Sequence, residues 1–256
     1  MSVGYPNIDR IHPTRLPPGS VVMHHRWAEL LFLHWPVPVA MLRPLVPAGL
    51  EIDTFEDVAY IGLVPFTMSG LRPWWSPPIP GLSNFHEVNV RTYVHNQGRD
   101  PGVWFFSLDA SQSIAVKVAR TFWHLPYYRA RMTLQHEKDG SIVYHSERLW
   151  PEPLPGLCKT KYRPEGSPTA AEPGTLEHFL VERYVLYANS TSGLKLGRVH
   201  HTPYPLQTAR LDSLEENLIA VNRIERPSSP PIIHYASEVQ VRVFGLERVQ
   251  SRALNV

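Results

Sequence analysis

Between Phe85 and Tyr93 a carboxyl, a carboxamide and a guanidinium recur at every second residue, as Glu87, Asn89 and Arg91, with the Tyr93 phenol next in step. Side chains two apart on an extended strand share a face, so these four would stand together, beside Phe85. His86, Val88, Val90, Thr92 and Val94 would occupy the other face. A guanidinium holds an anion in a fork of donors, and a carboxyl withdrawn from water holds or gives a proton near neutral pH. Together they suit binding of, or acid–base chemistry on, a small organic acid or carbonyl compound. The same alternation also describes a half-buried strand with valines inside and charges in water, the commoner arrangement for such a face.

The strand that follows bears on this choice. Trp104, Phe106 and Leu108 alternate with Val103 and Phe105, and the second series continues into Ser107 and Asp109. A strand apolar on both faces is covered on both; if it pairs with its predecessor, the face of Glu87 and Arg91 is covered too. A buried charge needs a partner, because desolvating an unpaired one costs several kcal/mol. An enclosed polar interior or a bound ligand would supply that partner, and Arg91 would either anchor an anion or pair with Glu87. Downstream come Arg120, Phe122, Trp123, His124, Leu125, Pro126 and the adjacent phenols Tyr127 and Tyr128. Phe122 and Leu125 read as core. Neighbouring tyrosines diverge, so that one packs and the other presents its hydroxyl.

Short elements must position these groups, since 26 prolines and 15 glycines interrupt the chain throughout. Strands are expected at Val58–Val64, Phe85–Val94, Gly102–Leu108, Arg131–His136, Ile142–Arg148, Tyr184–Asn189 and Glu238–Phe244. Hairpins are expected through Asn96–Gly102 and at Asp139-Gly140. Helices are few: Pro38–Leu45; Ser111–Trp123, capped by Asp109 or Ser111 and stopped by Pro126; and one near Leu214 and Leu218, behind an Asp212 to Glu215 capping box. Pro73–Pro80, Pro151–Pro173 and Pro227–Pro231 read as loops, the middle one long enough to serve as a lid. The pattern is that of a mainly β (α+β) protein, a barrel or mixed sheet, not of repeating βαβ units. The 256 residues are expected to form one domain.

Composition excludes several functions. A net charge of +2 with no concentrated basic face gives no footing for nucleic acid. One cysteine, Cys158, forbids an internal disulfide and suits a reducing compartment. Met1–Pro17 has no apolar run of signal-peptide type, and no segment nears the ~20 apolar residues of a spanning helix; a cytoplasmic protein is expected. The 13 histidines include the pairs His24-His25 and His200-His201, whose rings point apart on a strand. Without HExxH or CxxC spacing, no metal and no cofactor is expected. Ser69, Ser107 and Ser192 lack the GxSxG elbow, and phosphate and dinucleotide loops are absent.

The strings FLHWPVP at Phe32–Pro38, FHEVNVRTYV at Phe85–Val94, VWFFSLDAS at Val103–Ser111, ARTFWHLPYYRARM at Ala119–Met132 and ERYVLY at Glu182–Tyr187 resemble the YqjF-like bacterial family, a domain of unknown function. That family is more distantly similar to the acetoacetate decarboxylases. The resemblance implies an antiparallel β-barrel around a polar cavity, with the Glu87 face turned inward and Glu87 matching an active-site glutamate. It also marks two departures. Where those decarboxylases carry proline and two lysines, including the Schiff-base lysine, this chain has Pro126, Tyr127 and Tyr128; a phenol cannot form an imine. Their arginine near the start of the barrel falls close to Pro36, where His34 and Trp35 are the nearby candidates. Lys117, earlier on the helix, reads as solvated. A binding barrel is therefore expected, possessing acid–base equipment but no imine chemistry. Glu87 is its candidate catalytic group, and His34, Asn89, Arg91, Tyr93, Arg120, Tyr127 and Tyr128 are its candidate ligand contacts. A non-catalytic scaffold for protein partners, with Trp74-Trp75 as contact or as cap of the barrel mouth, is the alternative; homo-oligomers are compatible with either.

Overall fold

The computed structural model describes residues 8–152 and 155–249; the start of the Met1–Pro17 stretch and two residues of Pro151–Pro173 lie outside them. Alternating sequence becomes sheet: β1 (Val21–Val37), β2 (Glu51–Ile52), β3 (Ala59–Pro73), β4 (Phe85–Asn96), β5 (Arg99–Ala110), β6 (Tyr127–His136), β7 (Ile142–Trp150), β8 (Leu157–Thr169), β9 (Val185–Ser190), β10 (Gly193–His200), β11 (Leu206–Glu216), β12 (Ile232–Phe244) and β13 (Glu247–Arg248). Four short helices interrupt them, α1 (Val39–Leu42), α2 (Ser113–Phe122), α3 (Leu176–Val181) and α4 (Leu218–Val221). Both expected hairpins form. In the first, Gln97 and Gly98 take φ of 49° and 79°, the left-handed pair that a two-residue turn between twisted strands requires.

The strand order is β13-β10-β9-β5-β6-β7-β8-β11-β12-β1-β3-β4-β2, and two further pairings, β4 with β5 and β10 with β12, close the sheet on itself. Two rings of paired strands result, sharing the wall β12-β1-β3-β4-β5. The first is completed by β9 and β10, the second by β6, β7, β8 and β11. The fold is thus mainly β with a few short helices, as expected, although β5 pairs with β6 and with β9 in parallel.

The shared wall accounts for strands that are apolar on both sides. On β4, Phe85 and Tyr93 join a first core with Phe66, Leu108 and Val243, while Val88 and Val90 join a second with Leu63, Tyr144 and Tyr162. Full burial of each such side chain is worth roughly 1.5–3 kcal/mol, so register on both faces is strongly enforced. Among the register shifts of the wall, two re-phase the residues around the site. Glu29 takes φ 55° where β1 slips against β3 between Ala28 and Leu33, which brings Trp27 and Leu30 to the same core. On β5 a slip opposite Val90 and Arg91 breaks the expected alternation of Trp104, Phe106 and Leu108. Phe105 and Leu108 face the first core instead, and Phe106 the second, as one extra residue in a ladder dictates.

Other expectations are corrected. Leu157–Thr169, inside the expected Pro151–Pro173 loop, is strand β8: Cys158, Thr160 and Tyr162 are buried at every second residue, a period-two signal that the surrounding prolines mask. Asp212 and Glu215 form no capping box, since both lie in β11; α4 begins only at Leu218, where Glu216 accepts from the Ile219 N–H. Neither Asp109 nor Ser111 caps α2. Gln112 does, accepting from the Ile114 N–H, while Ser111 accepts from the His86 N–H and Asp109 is held inside β5. Leu125 is core as expected, but Phe122 is 68% exposed, because it falls on the outward side of α2 two turns after the exposed Ile114. No helix among the described residues is long and apolar enough to cross a membrane.

Candidate functional site

The first ring encloses a cavity of ≈ 180 Å³. Along one wall β4 presents Glu87, Asn89 and Arg91 to it, at the two-residue spacing of a strand. Register with β3 sets Glu87 opposite Phe66, Asn89 opposite Val64 and Arg91 opposite Gly62. Apolar side chains fill most of the remaining surface. Ala115, Val118 and Ala119 of α2 border one end together with Trp123, Leu125 and Tyr127, so the turn at Pro126 is what brings a phenol to the carboxyl.

Glu87 is 2% exposed. The Tyr127 hydroxyl donates to its Oε2 at 2.8 Å, and the Tyr144 hydroxyl donates to its backbone carbonyl at 2.8 Å. Burial pushes the Glu87 carboxyl up to about 8, the Tyr127 hydrogen bond opposing and nearby Asp109 assisting. Burial thus favours the protonated form of Glu87. Arg91 is 8% exposed. It donates to the Leu180 carbonyl at 3.3 Å and lies 5.6 Å from the centre of the Phe32 ring. Among the described residues it makes no salt bridge; the expected pairing with Glu87 is not formed. The Arg91 Nε and the Asn89 side-chain oxygen are buried without a hydrogen-bond partner in the protein.

His34 and Tyr93 stand behind Arg91. The Tyr93 hydroxyl donates to the Leu180 carbonyl at 2.7 Å and lies 2.6 Å from His34 Nε2, so Nε2–H donates to the phenol and Nδ1 is left bare. That Nδ1 has no partner, and burial, then Arg91, hold the imidazole well below its ordinary value. Gly62 permits the arrangement: a Cβ there would stand 3.0 Å from the His34 ring and 3.4 Å from the Arg91 side chain. The two adjacent phenols diverge, and it is Tyr127 that enters the chamber. Tyr128 and Arg120 do not join Glu87. Both line a separate groove outside the ring, where Arg120 donates to the Tyr127 carbonyl and Tyr128 stacks 3.6 Å from the Arg148 guanidinium. Trp74 and Trp75 are 67% and 70% exposed and do not line the chamber.

A model of uncharacterised conserved proteins, DUF2071, matches residues 24–240. The uncharacterised protein YqjF of Bacillus subtilis (strain 168) is 40% identical over 234 residues, 91% of this chain and 95% of that protein. The chain belongs to the DUF2071 family. Among solved structures, an acetoacetate decarboxylase superposes with a TM-score of 0.61 at 16% identity, over 90% of this chain and 89% of that one. The enduracididine biosynthesis enzyme MppR, in complex with the condensation product of pyruvate and imidazole 4-carboxaldehyde, gives 0.61 at 12% identity, over 91% and 90%. This DUF2071 chain thus has an acetoacetate decarboxylase-like fold.

Several groups of the DUF2071 chamber were not legible in its sequence. His25 and Trp27 of β1 also line the cavity; the bulge at Glu29 hides them from any alternation counted back from Leu30. Outside the cavity lining, the buried Asp109–Arg148 pair, joined at 2.7 Å, links residues too distant in sequence for spacing to reveal. Burial pushes Asp109 up and the Arg148 guanidinium pulls it back. A second buried cluster fixes the floor behind Tyr93, with Asp53 bonded by Arg10 and by Arg183, the latter at 2.7 Å. Arg183 lies 4.7 Å from the centre of the Tyr93 ring.

Proposed function

We propose that the chamber binds a small organic acid, with Arg91 anchoring its carboxylate and Glu87, hydrogen-bonded by Tyr127, holding or moving a proton at the adjoining atoms. One observation carries this reading. Arg91, whose buried guanidinium has no carboxylate partner among the described residues, lines a mainly apolar cavity whose one acidic side chain is Glu87, and burial favours the protonated form of that acid. Desolvated cations require an anion, which a ligand carboxylate would supply. Asn89 and the Glu87 carboxyl supply the further hydrogen bonds that orient it. MppR, of the same fold, is solved with a pyruvate-derived compound, which agrees with a carbonyl-bearing acid. The exposed Trp74 and Trp75 favour a second reading, a partner-binding scaffold in which the chamber plays no part.

Binding should weaken as pH rises through about 8. A protonated Glu87 donates to the ligand carboxylate, whereas an ionised one repels it. Linkage of one proton makes Kd constant well below that point and raises it about tenfold per pH unit well above it. Titration calorimetry with hexanoate and pyruvate from about pH 6 to about pH 10 measures this; affinity that grows with pH for both acids would exclude the reading.

Imine chemistry has no equipment in the chamber. Among the described residues no lysine lines it, and Lys117 is exposed on α2. Incubation with acetoacetate and borohydride should leave the protein mass unchanged, and a stable adduct at any lysine would overturn this exclusion.

A further inference from the structure

The chamber has a second polar station. Trp27 Nε1 and both ring nitrogens of His25 are buried with no hydrogen-bond partner in the protein, and both residues face the same cavity as Glu87 and Arg91. The ladder places them at the far end. Trp27 is registered with Met68 of β3 and Met68 with Phe85 of β4, so Trp27 stands level with Phe85. Six residues of β4 separate that level from Arg91, a backbone span of roughly 20 Å at the rise of a strand. Between the stations the lining is mainly apolar, with Val64, Phe66 and Leu108, interrupted on β4 by Glu87 and Asn89.

The two stations differ in charge. Arg91 at one end is cationic. At the other, burial drives His25 down to about 3 and its neighbour His201, whose ring centre lies 5.7 Å from that of Trp27, down to about 4. Both imidazoles are neutral in the working range, and a neutral imidazole offers one donor and one acceptor. No arginine or lysine other than Arg91 lines the cavity among the described residues. A second carboxylate would thus meet no cation there, and a plain hydrocarbon end would leave the indole N–H and the imidazole unmet.

We infer that the ligand is an elongated acid bearing a second, uncharged hydrogen-bonding group at its far end, received by His25 and Trp27 while Arg91 holds the carboxylate. This rests on the acid-binding reading and adds the chemistry of the other end. Hydroxyl, carbonyl and amide groups all meet the requirement, since each pairs with a donor or acceptor of that station.

Calorimetry on the full chain with hexanoate, octanoate and decanoate, each beside its ω-hydroxy and ω-dicarboxylate counterparts, tests it. The best ω-hydroxy acid should bind about five- to tenfold tighter than the plain acid of equal length, the worth of one net hydrogen bond, and the dicarboxylate should bind more weakly than both. His25→Phe should erase the preference for the hydroxy acid; Trp27→Phe serves the same comparison if the histidine variant does not fold. Equal affinity for plain and hydroxy acids at every length, with Arg91→Met still abolishing binding, would refute the second station and leave the anchor standing. Acids that bind Arg91→Met as well as the parent chain, or none that binds at all, would overturn the anchor and the station together.

Discussion

Replacing Arg91 with methionine should raise the melting temperature of the ligand-free chain while abolishing its binding of acids. The guanidinium is withdrawn from water, makes no salt bridge among the described residues and leaves its Nε without a partner. A methionine of similar length keeps the contact with Phe32 and removes the desolvated charge. Exchanging a buried ion pair for apolar groups of like volume is often neutral or stabilising by about 1–4 kcal/mol, and an unpaired charge carries the desolvation cost without the compensating attraction. For a chain of this size that corresponds to a rise of about 2–4 °C per kcal/mol. The hydrogen bond to the Leu180 carbonyl is lost, which returns about 1 kcal/mol of the gain. Binding moves the other way: losing a buried charge-assisted anchor costs about 2–5 kcal/mol, or roughly 30-fold to several thousand-fold in Kd. Scanning calorimetry and acid titration of the same preparation read both effects. A fall in melting temperature with undiminished binding would mean that Arg91 is a structural residue only. Stability sacrificed at a site that binds is the signature of function.

Glu87→Gln should stabilise the chain progressively as pH rises from about 5 to about 8, the ordinary and the folded values being 4.5 and about 8. The sign follows from proton linkage. The folded carboxyl holds its proton more tightly than the unfolded one, so the stability linked to it is complete below about pH 4.5 and is lost as the unfolded chain ionises. The loss levels off once the folded carboxyl also ionises, above about 8. Over that window it amounts to on the order of 3–5 kcal/mol, which Gln escapes because it does not titrate. Its carboxamide oxygen still accepts from the Tyr127 hydroxyl. The two chains should therefore melt together near pH 5 and diverge by about 10 °C near pH 8. Other raised carboxyls, Asp109 and Glu182 among them, are common to both chains and cancel in the difference. Parallel curves across this range would show that Glu87 is ionised in the fold. If the site turns a substrate over by proton transfer, the same variant should retain acid binding and lose turnover.

The strand of Glu87 was legible because its period, its polar face and the doubly apolar neighbour all follow from side-chain alternation. Only the family resemblance turned that face inward, and the 2% exposure of Glu87 agrees with it. Divergence of Tyr127 and Tyr128 was legible too, but not which one enters the chamber; that depends on the short parallel pairing of Leu108 with Tyr127. What stayed hidden depends on partners distant in sequence. The bulges at Glu29 and opposite Arg91 shift a face by one residue for reasons set by the neighbouring strand, so the sequence does not show His25 and Trp27 facing the chamber, and Leu108, which alternation groups with Phe106, faces with Phe105. Phe122 looks like core by type, yet only the packing of α2 shows which of its stripes meets the sheet. Strand β8 reads as a loop from its sequence because its prolines outweigh the period-two pattern of its buried residues.

A crystal structure of the chain with octanoate bound bears most directly on the chamber as an anion site. The acid should lie inside the first ring, its carboxylate oxygens within about 3 Å of the Arg91 guanidinium and beside the Glu87 carboxyl, with the chain running past Phe66 toward Trp27. An acid bound elsewhere on the surface, with the Arg91 guanidinium turned away from it, would contradict the assignment.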